Sequence, residues 1–509
     1  MAAVEEAAAP VRRGLLTIAI MLATVMQVLD TTIANVALPS MQGSLGAAQD
    51  SITWVLTSYI VASAIMTPVT GWLADRIGLK PLFLVSVAGF TVASMLCGTA
   101  GSLTEMVVWR LLQGVFGAAL VPLSQTVLLN INPKERHGQA MAMWGAGIMI
   151  GPVIGPTLGG WLTESFNWRW VFYINVPVGI LAFLGILAWM PASATRRRGF
   201  DFVGFGLLSI AVGSLQLMLD RGEQLDWFAS PEIWIELGIS ISAFWGFGVH
   251  MLTARQPFLE PRLFRDRNLV AGLIVIFVVG VIVLAAMALM PPMLQRLMGY
   301  PTITTGMVMA PRGLGVVISM LLVGRLVHRV DARLLILVGL LLTAWSLHMM
   351  TQFTIVMDST PIIVSGLVQG LGLGLVFVPL SAIAFATLAP ADRVDAASLF
   401  SLVRNLGNSL GVSVVISALA HFTQVNHAEL AAHISPFNPA IDARLVQMGQ
   451  AAPPALAAMD QMVNQQAAMI AYLNDFKMMM IVTLCAIPLV LLLRPARNEG
   501  GQGHAPVMD

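Results

Sequence analysis

The chain has 509 residues, of which 57% are hydrophobic and only 10% charged, with a mean hydropathy of +0.82 and a formal net charge of +1. That balance excludes a soluble domain of this length and requires an integral membrane protein. The basic residues are scattered along the chain, which excludes nucleic acid as a partner.

Apolar runs long enough to cross a bilayer as helices predict fourteen spans, at residues 14–38, 52–74, 82–100, 104–129, 137–162, 168–190, 202–220, 231–252, 268–290, 304–327, 333–352, 360–388, 397–421 and 475–494. Of the 27 Lys and Arg, nineteen fall in the termini and alternate loops, and only Arg169, Arg221, Arg296 and Arg444 in the opposite loops. Positive loops stay cytoplasmic, so both termini are expected inside, which requires an even number of spans. The first span is expected to be retained, because its length and Asp30 do not suit a cleaved signal peptide.

Span 1 carries Asp30 alone among apolar residues. An ionisable side chain at membrane depth costs roughly 3 kcal/mol on insertion scales, which makes it a site of ion movement or substrate binding by default. Gln27 and Ala34 share its helix face, a stripe suited to a cavity wall. After span 2, residues 71–81 alternate glycine with charge, in Gly71, Asp75, Arg76, Gly78 and Lys80. Such a turn is either an ordinary positive-inside loop or a gate whose charge-assisted bonds exist in one conformation and break in the other. The full pattern favours the gate.

Span 4 places Arg110 six residues below its outer start, and Asp30 lies eight residues below the outer end of span 1. At about 1.5 Å per residue these depths are roughly 9 and 12 Å, so the two are expected to meet. Burial favours the neutral form of a carboxyl and a nearby guanidinium favours the ionised one. A pair that moves apart and together therefore loads and unloads a proton, whereas a static pair only fixes packing. In span 5, Gly147, Gly151, Gly155 and Gly159 recur every fourth residue with Gly160, Pro152 and Pro156 among them. This smooth ridge suits close helix packing and bending, and is expected at the interface between the two halves of the protein.

The halves follow from an internal repeat. Gly71-Trp72-Leu73 recurs as Gly324-Arg325-Leu326, and Arg110-Leu111-Leu112-Gln113-Gly114 with Val121-Pro122-Leu123-Ser124 recurs as Leu367-Val368-Gln369-Gly370 with Val378-Pro379-Leu380-Ser381, at offsets of 253 to 257. The repeat maps spans 1–6 onto spans 9–14 and leaves 202–220 and 231–252 as an inserted pair. The predicted organisation is a six-helix bundle at 1–190, an inserted pair with linkers at 191–267, a second bundle at 268–494 with an extracytoplasmic loop at 422–474, and a tail at 495–509. Asp201, Asp220, Asp226, Glu232 and Glu236 around the inserted pair read as solvated boundary charges.

In the second half, Arg312 and the set Arg404, Asn405 and Asn408 lie at membrane depth. Gln27, Ala34, Gln113, Arg404 and Asn408 are the candidate lining of a substrate cavity. The loop 422–474 is either a solvated connector or a docking surface, and its later part, 455–473, suits a helix. Cys97 and Cys485 lie in separate spans and predict no disulfide. The eight histidines are dispersed, with no H-E-x-x-H and no G-x-x-x-x-G-K-[ST] pattern, so neither an enzyme nor an ATPase is expected, and no metal or cofactor.

At residues 29–39, at the gate loop, at Arg110 to Gly114 and at the span 5 ridge, the chain resembles the major facilitator superfamily, and more narrowly its fourteen-span drug:proton antiporters of the EmrB/QacA type. Leu219-Asp220-Arg221-Gly222, Leu225-Asp226-Trp227-Phe228 and Pro436-Phe437-Asn438 resemble the EmrB branch of that family. The resemblance implies an all-α polytopic major facilitator fold of two six-helix bundles plus two inserted helices. It implies export of small hydrophobic compounds from a bacterial inner membrane against inward proton flow, with Asp30 and Arg110 as the proton-coupling pair and the span 5 ridge as the antiporter motif. It further implies a periplasmic adaptor and an outer-membrane channel as partners. The alternatives are a dedicated exporter of one metabolite or siderophore, and a non-transporting sensor or scaffold. Gly366 stands where the repeat places Arg110, so the coupling chemistry is expected in the first half alone.

Overall fold

The computed structural model describes residues 13–48, 51–133, 136–193, 195, 199–326, 329–389, 392–434 and 452–493, and the side chains at 150, 152, 153, 302, 303 and 452–456 fall outside that description. Arg12, Lys134, Arg196, Arg197, Arg198, Arg444, Arg494, Arg497, the tail 495–509 and the segment Pro436, Phe437, Asn438 and Pro439 also lie outside the described residues.

The described chain is helical, without strands. The helices are α1 (Arg13–Leu45), α2 (Trp54–Met66 with Val69–Ile77), α3 (Leu79–Thr99), α4 (Leu103–Ile131), α5 (His137–Ser165), α6 (Trp170–Trp189), α7 (Phe202–Arg221) and α8 (Pro231–Thr253). They continue as α9 (Arg267–Leu297), α10 (Thr302–Leu326), α11 (Ala332–Met350), α12 (Thr360–Ala386), α13 (Arg393–Ala432) and α14 (Ala452–Ala486). Thirteen are long and apolar enough to cross a membrane, or fourteen when the two parts of α2, bent by 58°, count as one span. The bend falls at Thr67 and Pro68, where proline removes a backbone donor from the helical ladder.

Short polar residues outside the apolar windows set several starts. Ser102 accepts from the Glu105 N–H while the Glu105 carboxylate accepts from the Gly101 N–H, and Ser230, Asp266 and Asp331 cap α8, α9 and α11. The predicted loop at 422–474 is shorter than its sequence suggested. Helix α13 runs on to Ala432 and α14 begins at Ala452, because Ala- and Gln-rich flanks continue a helix more readily than they end it.

Helix α1 packs on α5 and α6, and α2 and α3 on α4, to form the first bundle, while α9 packs on α13, α10 and α11 on α12, and α14 on α11 and α13 in the second. The bundles meet along two seams. In one, α5 lies against α10 and α12, with Trp144 stacked on Phe377 at 5.8 Å and Ala142 beside Gly324. In the other, the ends of α2 and α4 meet the start of α13, where Arg393 donates to Asn130 at 2.9 Å.

The inserted helices do not stand apart. Helix α7 lies between α2 and α13, bonded to the second bundle from Gln216 to Ser409 (2.8 Å), from Ser413 to the Leu219 carbonyl (2.5 Å) and from Ser417 to Glu223 (2.9 Å). Towards the first bundle, Gln224 donates to Thr53, Gly213 abuts Ile65, and the Arg221 guanidinium lies over the Trp54 ring at 5.8 Å. Helix α8 is peripheral, with Trp234, Ile235, Ile241, Trp245 and Leu252 exposed as lipid-facing surface.

Asp201 and Asp220 are not solvated boundary charges. Asp220 is half-buried on α7 and accepts from Gln216 at 3.3 Å. Asp201 accepts from the Gly204 and Phe258 N–H groups and contacts His250, pinning the start of α7 to the end of α8 and the linker beyond. Partial burial raises the Asp201 pKa, but these donors outweigh it and hold the carboxyl below the usual range. A lowered carboxylate pKa stabilises the fold above the unfolded value of about 3.9, and that contribution is lost as pH falls through the lowered one.

Candidate functional site

Asp30 and Arg110 meet, and both are fully buried. The Arg110 Nη1 donates to Asp30 Oδ2 at 2.6 Å and to Gln113 Oε1 at 2.8 Å, and its Nε donates to the Val55 carbonyl at 3.0 Å. The other carboxylate oxygen, Oδ1, accepts from Gln113 Nε2 and Asn175 Nδ2, each at 2.8 Å. Asn175 is itself held by Ser94, which donates to the Phe172 carbonyl at 2.9 Å. The Arg110 guanidinium also lies over the Tyr59 ring at 4.3 Å, and Gln27 donates to the Tyr59 hydroxyl at 3.1 Å. One carboxylate thus gathers donors from α4 and α6, with α2 and α3 bracing the donors. Arg110 Nη2 and Gln27 Oε1 have no partner among the described residues.

Asn175, Ser94 and Tyr59 are absent from the sequence-derived set. Asn175 is the amide inside an apolar run, and Tyr59 is one of only four tyrosines, which were the available signals.

Two expectations change. Asp30 and Ala34 do not line an open cavity in this conformation: Ala34 is packed with Ile33, Ala37 and Cys97 in the core of the first bundle, and Asp30 points into the same bundle. The α5 ridge likewise packs inside the first bundle. A Cβ at Gly147 would strike Met21, at Gly151 Val28, at Gly155 Thr32 and at Gly159 Ile33, all on α1, and Thr32 donates to the Gly151 carbonyl at 3.2 Å. The ridge is smooth because the α1 backbone needs that room. A different face of α5, with Ala142, Gly145 and Thr157, meets α10. Gly160 has open space around it, Pro156 is half-buried, and the Pro152 side chain lies outside the described residues.

In the gate loop, Gly71 lies directly against Asp395 at the start of α13, so close that a Cβ would occupy the place of the carboxylate oxygen. Gly78 takes φ +91°, a conformation that favours glycine, and the Leu79 N–H that follows donates to Ser193 at 2.7 Å. Asp75 and Lys80 are half-buried, and Arg76 is exposed. Gly71 thus makes one of the contacts across the bundles in this conformation, while Arg76 beside it is exposed. Arg404 and Asn408 lie together against Gly280 of α9, in the second bundle, and the Arg404 guanidinium forms no ion pair among the described residues. The structure does not join them to the Asp30 cluster. Both cysteines are free thiols.

Arg110→Ala is expected to leave the Asp30 carboxylate buried with two neutral donors, a loss of about 3–5 kcal/mol. The unfolding midpoint of the purified protein should fall, and Asp30→Asn combined with Arg110→Ala should recover part of the loss. Losses of the two single variants that simply add in the double variant would show that the two side chains do not act as a pair.

The model of the Major Facilitator Superfamily matches residues 20–412. The fatty acid resistance protein FarB of Neisseria gonorrhoeae is 37% identical over 499 residues, covering 96% of this chain and 97% of FarB. The multidrug export protein EmrB of Escherichia coli K12 is 36% identical over 495 residues, with the same two coverages. Among solved structures, the human organic anion transporter MFSD10 superposes with a TM-score of 0.60 at 15% identity, covering 93% of this chain and all of that one. The proton:xylose symporter XylE superposes with a TM-score of 0.59 at 13% identity, covering 94% and 96%. These two likenesses concern the fold alone. A chain with thirteen or fourteen membrane-crossing helices among its described residues, this repeat, this family match and these full-length relatives belongs to the major facilitator superfamily, among its drug transporters of the EmrB type.

Proposed function

We propose that this transporter is a proton-coupled antiporter that exports hydrophobic drugs and other toxic compounds by alternating access. The observation that carries the reading is a single carboxylate, Asp30, fully buried and held by Arg110, Gln113 and Asn175. As a carboxylate it accepts all three bonds. Protonation removes its charge and one acceptor position, which weakens its hold on Arg110. Release of Arg110 loosens the attachment of α4 to α1 and to the Val55 carbonyl on α2. Helix α1 bears on the α5 glycines, and α5 carries the seam to α10, so a change at Asp30 has a packed route to the joint between bundles. Rocking about that joint exposes the interior to one side and then the other, as in other transporters built from paired repeats.

In this reading, Gly71, Asp75, Arg76, Gly78 and Lys80 form the cytoplasmic gate, Arg404 and Asn408 belong to the substrate path, and both termini are cytoplasmic. The protein resides in a bacterial inner membrane. At about 150 mV one entering proton supplies roughly 3.5 kcal/mol, enough for a gradient of about 300-fold in a one-for-one exchange. The helical extensions of α13 and α14 beyond the membrane supply a surface for a periplasmic adaptor that leads to an outer-membrane channel. The name of FarB supports a second reading, an exporter dedicated to one kind of amphipathic compound.

The test is proton release from the purified protein on addition of each member of a compound panel. Several unrelated hydrophobic compounds are expected to displace protons. Release by one compound class alone favours the dedicated exporter, and no release by any of them overturns the exchange.

A further inference from the structure

The second bundle does not reproduce the Asp30 cluster. At the repeat offset, Asp30 corresponds to one of Val283, Leu284, Ala285, Ala286 or Met287, none of them acidic, and Arg110 corresponds to Gly366. The amide survives, with Gln369 at the offset of Gln113. A guanidinium arrives instead from another helix, since Arg312 of α10 lies against Gly366, where a Cβ would stand 3.5 Å from its own.

Arg312 is 8% exposed and Gln369 1% exposed. The Arg312 Nη2 donates to the Val283 carbonyl at 3.2 Å, and its Nη1 has no partner among the described residues, nor has either end of the Gln369 amide. Arg312, Gln369 and Gly366 line one narrow cavity of about 10 Å³, room for about one water until its walls move, with Met290, Met309 and Met350. Asp475 on α14 is also buried in this bundle, but it does not line the cavity, and neither of its oxygens has a partner among the described residues, so it does not pair with Arg312.

A buried guanidinium without a counter-charge, beside a buried amide without bonds, is costly unless something accepts from both. We propose that Arg312 and Gln369 bind the carboxylate of an amphipathic substrate, with Arg312 Nη1 and Gln369 Nε2 donating to its oxygens and its apolar chain lying among the methionines. Unbranched thioether side chains are the walls best able to move aside and admit such a chain. A carboxylate accepts charge-assisted bonds from both donors, and a cation or a neutral alcohol does not. That the ligand is an exported substrate rests on the transport reading above. The binding itself does not.

The experiment is equilibrium binding of radiolabelled dodecanoate to the purified protein in lipid nanodiscs, corrected with empty discs and without a proton gradient. Saturable binding is expected, displaced by decanoate but not by dodecanol or dodecyltrimethylammonium. Arg312→Met is expected to weaken it by about 10- to 100-fold, and Gln369→Leu by about 10-fold, in preparations that remain monodisperse. Wild-type affinity in both variants, or displacement by dodecanol as effective as by decanoate, overturns the proposal. Displacement by chloride at equal concentration assigns the site to inorganic anions and overturns the amphipathic part. A failure here leaves the proton-release measurement intact, and a failure of proton release leaves this binding intact, so the two readings fall separately.

Discussion

Asp30→Asn is expected to abolish proton-driven export while the protein still inserts. Asparagine keeps the shape of the side chain and offers Oδ1 to Gln113 and Asn175, whose donors are 2.8 Å from the present oxygen. It removes the titration and the negative charge at 2.6 Å from Arg110. The guanidinium retains the Val55 carbonyl, Gln113 Oε1 and the Tyr59 face, so the helices remain assembled at reduced stability, by about 3–5 kcal/mol. Export of a fluorescent substrate from energised inverted vesicles should fall to the level of empty vesicles, and substrate should no longer displace protons. Full export by this variant would remove Asp30 as the carrier.

Gly71→Leu should lock the transporter away from the conformation described here. A Cβ at this position lies 1.6 Å from an Asp395 carboxylate oxygen and 3.2 Å from the Asp395 Cα, so a rotamer change alone does not make room for a larger side chain. The seam between α2 and α13 must open, and overpacking of this kind costs about 1–3 kcal/mol, enough to reverse a closely balanced equilibrium. The check is accessibility. Ala142→Cys, packed against Gly324 on the same face, should react faster with a membrane-impermeant maleimide when Gly71→Leu is present, in a Cys485→Ser background. Export should fall in parallel. Unchanged labelling together with unchanged export would deny Gly71 any part in a gate.

The positions of the helices were legible because a bilayer leaves a chain few alternatives: each apolar run must satisfy its own backbone. The Asp30 and Arg110 meeting was legible for a related reason, since two charges at matched depth need each other. Asn175, Ser94 and Tyr59 were not, because neutral polar side chains in a span often bond only their own helix, as Thr24 does to Ile20, and carry no mark that separates the two uses. Direction was equally hidden. The α5 glycines announced a close neighbour but not which one, and with small residues on more than one face the helix touches α1 by one and α10 by another. Asp30 read as part of a cavity wall for the same reason, because spacing along a helix says which residues share a face and not what that face meets.

The place of α7 limits the routes by which a greasy molecule can arrive. With Gln216, Leu219 and Glu223 bonded to one bundle and Gly213 and Gln224 against the other, the flank between α2 and α13 is shut to acyl chains at the level of those bonds. A compound dissolved in the surrounding leaflets meets a closed wall there.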